Sequence, residues 1–198
     1  QRFGEPPEFQ IPLPDGFTPY PWQLEGARRF GQTGIALLAD SMGTGKTFTG
    51  VMSMLQFYAL HPGTPGTGVV VCPASVIPDW IAAFQRFGLS AIDFRGRTLP
   101  GKANVLVTSY QTSHRREKAL STGGVIIYDE SHKLTNRSSK QSMTASRLGK
   151  QAAGRIALSG TPFTHAIDGL QPTLRYLEPE AWPSNERFVE RYCETQVQ

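Results

Sequence analysis

Hydrophobic and polar positions along this chain follow two rhythms. Short apolar runs, among them Ile35-Ala36-Leu37-Leu38, Val69-Val70-Val71-Cys72 and Val125-Ile126-Ile127-Tyr128, are bounded by glycine, proline or charge. Continuous runs of that length mark strands buried on both faces. Longer segments between them space their apolar residues three and four apart, the mark of helices with one buried face. The pattern predicts strands near 35–39, 69–72, 90–94, 104–108, 125–129 and 155–158. It predicts helices near 21–31, 46–60, 75–87, 109–119, 138–149, 166–177 and 184–193. Regular strand–helix alternation implies an α/β fold, a mostly parallel central sheet with helices on both faces. Pro6, Pro7, Pro12 and Pro14 keep residues 1–16 out of helix and central strand, so they read as an extended arm before a domain at 17–198. The glycine- and proline-rich stretch 62–68 joins a helix to a strand and reads as a connector inside that domain.

The junction after the first strand adds chemistry. Ala39-Asp40-Ser41-Met42-Gly43-Thr44-Gly45-Lys46-Thr47 is a glycine-punctuated loop that ends in Lys-Thr and opens a helix. Gly43 and Gly45 let successive backbone N–H groups turn inward, and the helix N-terminus adds a field that favours anions. Lys46 would reach the β- and γ-phosphates of a nucleotide, and the Thr47 hydroxyl would ligate Mg²⁺. The strict phosphate-loop pattern has glycine where this chain has Asp40, so the loop is a variant. The same string also fits an ordinary strand–turn–helix junction.

Val125-Ile126-Ile127-Tyr128-Asp129-Glu130 reads as an inner strand that ends in adjacent carboxylates. Acids at the carboxyl end of such a strand lie where α/β sheets take ligands. Asp129 would hold the Mg²⁺, and Glu130 would orient and activate the attacking water. A single acid there would more often cap the next helix; a pair downstream of a phosphate-loop lysine favours nucleotide hydrolysis.

These strings resemble, in unbroken order over roughly residues 17–193, the Snf2-type group of superfamily 2 helicase-like ATPases. Pro21-Trp22-Gln23-Leu24-Glu25-Gly26 looks like the group's Q-motif, and Leu38 to Thr47 like motif I, where the family itself usually carries Asp at the Asp40 position. Val69 to Ser75, followed by Asp79-Trp80, resembles motif Ia, and Val107-Thr108-Ser109-Tyr110 resembles a later DNA-contacting motif. Asp129-Glu130-Ser131-His132 matches motif II, and Leu158-Ser159-Gly160-Thr161-Pro162 matches motif III. Ser159-Gly160-Thr161 differs from the Ser-Ala-Thr of DEAD-box RNA helicases. Ser131 and the stretch 133–136 look most like the branch that contains annealing-type helicases.

The resemblance implies a RecA-like P-loop lobe that uses ATP and Mg²⁺. Gln23 would read the adenine edge beside Trp22. Ser41, Met42, Gly43, Thr44, Gly45, Lys46, Thr47 and Phe48 would line the phosphates, with Lys46, Asp129 and Glu130 catalytic and Thr47 and Asp129 on the metal. His132, Ser159 and Thr161 would couple the γ-phosphate to the DNA surface, and Ser75, Ser109 and Tyr110 would touch the DNA backbone. The partners implied are double-stranded or branched DNA and a second RecA-like lobe that carries an arginine finger. Nothing after Pro162 resembles that second lobe, so the expectation is the first lobe only.

Charge sharpens the partner. The net charge is +4, and no acid occurs from Ser131 to Ile167, where Lys133, Arg137, Lys140, Arg147, Lys150 and Arg155 stand. His114-Arg115-Arg116 and Lys118 form a second basic cluster. Arg115, Arg116, Lys140 and Arg147 would follow a phosphate backbone, or else form a solvated face or a contact with the other lobe. Cys72 and Cys193 form neither a disulfide framework nor a metal spacing. No apolar run approaches membrane-spanning length, so the expectation is no membrane and an intracellular setting, cytoplasm, nucleoid or nucleus. Two rival classes share parts of the pattern. A P-loop kinase would need an acceptor pocket and an arginine-bearing lid. A catalytically silent DNA scaffold would not need intact Lys46, Asp129 and Glu130.

Overall fold

The computed structural model describes residues 4–95, 103–134, 136–162, 167–182 and 184–193. In chain order the elements are α1 (Pro21–Thr33), β1 (Ile35–Leu38), α2 (Lys46–Leu60), β2 (Gly68–Cys72), α3 (Ile77–Arg86), β3 (Ala91–Asp93) and β4 (Val105–Ser109). They continue with α4 (Tyr110–Arg115), α5 (Glu117–Leu120), β5 (Val125–Asp129), α6 (Lys140–Gln151), β6 (Gly154–Leu158), α7 (Gln171–Leu177) and α8 (Asn185–Tyr192). Short 3₁₀ turns cover Ala74–Val76, Ser131–Leu134 and Ile167–Leu170. The six strands pair in parallel in the order β1-β6-β5-β2-β4-β3.

Side chains alternate across a strand, and here that alternation feeds two separate cores. Val70, Cys72, Val107, Ile127 and Leu158 point to the layer of Phe30, Met54, Phe57, Trp80 and Phe84 from α1, α2 and α3. Val69, Val71, Leu106, Ile126 and Tyr128 point to the layer of Tyr110, Leu120, Leu148 and Tyr176 from α4, α5, α6 and α7. The sheet is therefore covered on both faces, which explains the continuous apolar runs of β2 and of Val125–Tyr128 in β5.

Three helices differ from their predicted outlines. The segment 109–119 is not one helix, because Arg116 at φ −124°, ψ 23° divides α4 from α5. The segment 75–87 starts as a 3₁₀ turn, and Pro78 enters only in the first turn of α3, where its missing N–H has no helical partner to lose. Of the predicted helix at 166–177, residue 166 lies outside the described residues; the rest is a 3₁₀ turn followed by α7.

Residues 4–10 form no regular element, as the prolines require, and they lie on the first helical layer. Arg28 donates from Nε to the Pro7 carbonyl and from Nη2 to the Pro6 carbonyl, each at 2.8 Å. The Gln56 amide accepts from Gln10 N at 2.9 Å and donates to the Glu8 carbonyl at 2.8 Å.

The second layer is tight where α6 meets α7. A Cβ on Gly149 would run into the Tyr176 carbonyl, a backbone atom that cannot rotate away. Gly149→Ala is therefore expected to destabilise the fold by about 1–3 kcal/mol, the usual cost of overpacking, although alanine is the better helix former. Urea unfolding measures it.

Candidate nucleotide site

Three adjacent strands, β1, β6 and β5, deliver the conspicuous loops to one carboxyl edge of the sheet. The phosphate loop follows β1, the Ser159-Gly160-Thr161 turn follows β6, and Asp129-Glu130 ends β5. In an open α/β sheet this edge is where ligands bind.

Within the loop, Gly43 (φ 81°) and Gly45 (φ 77°) are left-handed, a conformation glycine takes without strain. Gly45 is also the N-cap of α2, so the loop ends at a helix N-terminus. Lys46 folds back over the loop, its ammonium donating to the carbonyls of Asp40 and Ser41, both at 2.8 Å. The Thr44 hydroxyl also donates to the Ser41 carbonyl, at 2.9 Å. Thr47 stands in the first turn of α2. Gly160 lies against the loop from the β6 side: a Cβ there would come within 2.8 Å of Met42 Cγ and 3.6 Å of Lys46 Nζ.

Asp129 is largely buried and each carboxylate oxygen has a donor. Trp80 Nε1 donates to Oδ2 at 2.9 Å, and the Glu130 N–H donates to Oδ1 at 2.9 Å. Burial pushes its pKa up and the neighbouring Glu130 charge adds to this, while the Trp80 bond and the Lys46 cation oppose the rise. Glu130 takes φ 53°, the left-handed region, with no glycine to relieve it. Its Oε2 lies 3.2 Å from His132 Nδ1, and that nitrogen lies 3.0 Å from Ser159 Oγ. Ser159 Oγ also accepts from Thr161 N at 3.1 Å. Glu130 is thus linked through His132 to the turn after β6.

Several expected roles change. Gln23 is not at the mouth of the site; it is 3% exposed, beneath the loop. Its Oε1 accepts from Tyr20 N at 2.9 Å, and its Nε2 donates to the Thr44 and Gly45 carbonyls at 3.3 and 3.2 Å. Both ends of the amide are engaged by backbone, so in this geometry it braces the loop and does not face an adenine edge. Trp22 remains at the surface, its Nε1 donating to the Thr44 carbonyl at 3.3 Å and its ring stacked on Tyr20 at 4.4 Å and 7°. Phe48 packs on Phe17 at 5.0 Å and on the first core.

Of the expected DNA contacts, Ser75 and Arg115 are exposed at the sheet edge and the end of α4, and Lys140 is exposed at the start of α6. Ser109 and Tyr110 are buried. Ser109 caps α4 by accepting from Thr112 N, and the Tyr110 hydroxyl faces the Asp129 and Glu130 carbonyls at 2.7 and 3.1 Å. Neither can reach a DNA phosphate. Arg116 lies over the Phe94 ring at 4.9 Å. Arg147 makes a two-pronged ion pair with Glu117, Nη2 to Oε2 at 2.6 Å, which also holds the Glu117 carboxyl below its usual range. The basic stripe is therefore partly neutralised within the protein. A groove of about 580 Å³ between α6, α7 and α8 is lined by Arg137, Arg147, Lys150 and Arg175, with Arg137 on Glu186 at 3.1 Å.

Among the described residues no cluster of three or more His, Cys, Asp or Glu could hold a metal by itself. A Mg²⁺ brought with a nucleotide does not need such a cluster, and a Thr hydroxyl with one buried carboxylate suits it. None of the described helices is long and apolar enough to cross a membrane.

The class defined by this fold and edge is a P-loop α/β lobe of RecA-like type. Comparison with known proteins supplies the family. The SNF2-related domain family matches residues 27–196, and the chain belongs to it. It is similar to a probable chromatin-remodeling complex ATPase chain of Oryza sativa subsp. japonica, 32% identical over 188 residues, covering 85% of this chain and 17% of that protein. It is also similar to the probable ATP-dependent DNA helicase CHR12 of Arabidopsis thaliana, 30% identical over 188 residues with the same 85% and 17% coverage. Among solved structures, the Sulfolobus solfataricus SWI2/SNF2 ATPase core in complex with dsDNA superposes with a TM-score of 0.77 at 23% identity, covering 94% of this chain and 41% of that one. That likeness shows the fold. The chain spans 17% of the length of the first two relatives, so what whole proteins of this family do is a separate question from what this lobe carries.

Proposed function

We propose that the chain is the ATP-binding lobe of a DNA-dependent ATPase of Snf2 type, which couples hydrolysis to movement along or remodelling of duplex DNA. One observation carries this reading: Lys46, the Asp129–Glu130 pair and the His132–Ser159 link come from adjacent strands to a single edge. A scaffold without catalysis has no need of that convergence, and a kinase has no use for a Glu–His–Ser link to a turn after β6. Membership of the SNF2-related family supports the same class.

In this reading the inward N–H groups from Gly43 to Thr47, together with Lys46, bind the phosphates. The Thr47 hydroxyl and Asp129 would hold Mg²⁺, whose charge offsets that of the β- and γ-phosphates. Glu130 accepts a proton from the attacking water, and His132 holds its carboxylate in place. Ser159 ties that histidine to the Thr161 backbone, so the turn after β6 can register whether a γ-phosphate is present. The exposed Tyr20–Trp22 stack offers the adenine ring a flat aromatic face beside the loop. A second RecA-like lobe would close over the nucleotide and supply the arginine finger; hydrolysis would reopen the pair.

DNA binding by the chain alone is expected to be weak, indifferent to sequence and strongly salt-dependent. Ser75, Arg115 and Lys140 are the exposed groups that would follow phosphates. Arg115→Glu with Lys140→Glu should reduce the slope of log affinity against log salt by about 2, since each phosphate contact contributes roughly 0.9. Arg147→Glu alone should change the slope little, because its guanidinium is already held by Glu117. Fluorescence anisotropy on duplex DNA across a salt series measures both. A wild-type slope near zero would exclude a phosphate-following surface.

A further inference from the structure

We infer that Trp80 and Tyr110 are positioning residues which grip the Asp129–Glu130 pair from opposite faces of the sheet and set its geometry for metal-bound nucleotide. The inference rests on the nucleotide-site reading above and adds two residues to it. Trp80 belongs to the core on one face and Tyr110 to the core on the other, 1% and 3% exposed. A buried indole N–H or phenol O–H needs a partner, and each finds it at the carboxylate pair. Trp80 Nε1 holds Asp129 Oδ2, while the backbone of Glu130 holds Oδ1, so the carboxylate plane is fixed by two bonds. The Tyr110 hydroxyl reaches both carbonyls of the pair and has one proton to give, shared between 2.7 and 3.1 Å.

That second grip is placed where the backbone needs it. Glu130 is the non-glycine residue with positive φ among those described, a conformation that costs roughly 1–2 kcal/mol unless the surroundings enforce it. Without the phenol at its carbonyls, the turn can relax to the right-handed region, which would carry the Glu130 carboxylate away from His132. Packing explains the rings but not these polar contacts. Gly50 leaves the Trp80 ring its space, since a Cβ there would approach Trp80 Cη2 to 2.9 Å, and Phe84 lies beside it at 5.9 Å without touching Asp129 by a hydrogen bond.

Titration of the 198-residue chain with a fluorescent ATP analogue, with and without Mg²⁺, tests the grip. Circular dichroism would verify that each variant is folded. The wild type should bind more tightly with Mg²⁺. Trp80→Phe should lose about 10-fold of that Mg²⁺-dependent tightening, and Tyr110→Phe about threefold, with Mg²⁺-free affinity unchanged in both. Phe84→Leu, which disturbs the same core but no polar contact, should keep the full Mg²⁺ effect. A wild type that tightens with Mg²⁺ and a Trp80→Phe that tightens equally would overturn the grip alone. Equal losses in Phe84→Leu and Trp80→Phe would reduce the indole to packing and overturn it too. A wild type that binds no nucleotide under either condition would overturn the site reading and this inference with it.

Discussion

Lys46→Ala is expected to weaken binding of ATP–Mg²⁺ to this chain by at least about 100-fold. The ammonium is the cation the loop itself carries, and charge-assisted bonds to phosphate are each worth roughly 1.5–3 kcal/mol. Its present bonds to the Asp40 and Ser41 carbonyls hold it across the loop. Those bonds are modest for stability because the side chain is only half-buried, so the unfolding midpoint should move little. Calorimetric titration gives the affinity, and thermal unfolding of the same sample separates lost binding from lost fold.

Glu130→Gln should have a comparable effect on turnover. In the intact protein it is expected to lower the hydrolysis rate by roughly 10²–10⁴-fold, the range that a positioned proton acceptor contributes, while ATP binding persists. The amide keeps the shape of the side chain at 3.2 Å from His132 Nδ1 but cannot take the proton. The variant would therefore hold ATP with its lobes closed on DNA. Single-turnover phosphate release alongside equilibrium nucleotide binding distinguishes this outcome from a loss of affinity. A Glu130→Gln protein that hydrolyses ATP at the wild-type rate would assign the water-activating role to another group.

Much of the fold was legible because its strands are short, nearly continuous apolar runs, most of them inside the sheet. Val69 to Cys72 and Val125 to Tyr128 cannot be solvated on either face, and two helical layers follow from that; Ile35 to Leu38, at the sheet edge, is half-buried. The strand order was not legible, because apolar runs say nothing about which neighbour they pair with. Yet that order is what brings β1, β6 and β5 side by side. The phosphate loop and the acid pair are local strings whose spacing carries their chemistry, so they could be read directly. Trp80 was invisible as a working residue: at helical spacing an indole reads as core, and its partner Asp129 is 49 residues away. Tyr110, Gln23 and Arg147 were assigned to ligands because each stands beside residues that face one. Their bonds to Glu130, the phosphate loop and Glu117 come from segments that only the folded sheet brings near. Burial was the missing quantity for Tyr110 and Gln23, and a periodic pattern reports it poorly at the ends of strands and helices; for the exposed Arg147 it was the ion-pair partner Glu117.

On the proposed reading, this edge hydrolyses ATP in response to DNA. Phosphate release by the intact protein, measured with and without duplex DNA and repeated with Lys46→Ala, tests it most directly. The predicted result is hydrolysis that rises severalfold or more on adding duplex DNA and that disappears in Lys46→Ala with or without it. Hydrolysis of equal rate in the absence of DNA, or surviving in Lys46→Ala, would mean that this edge is not a DNA-responsive ATPase site.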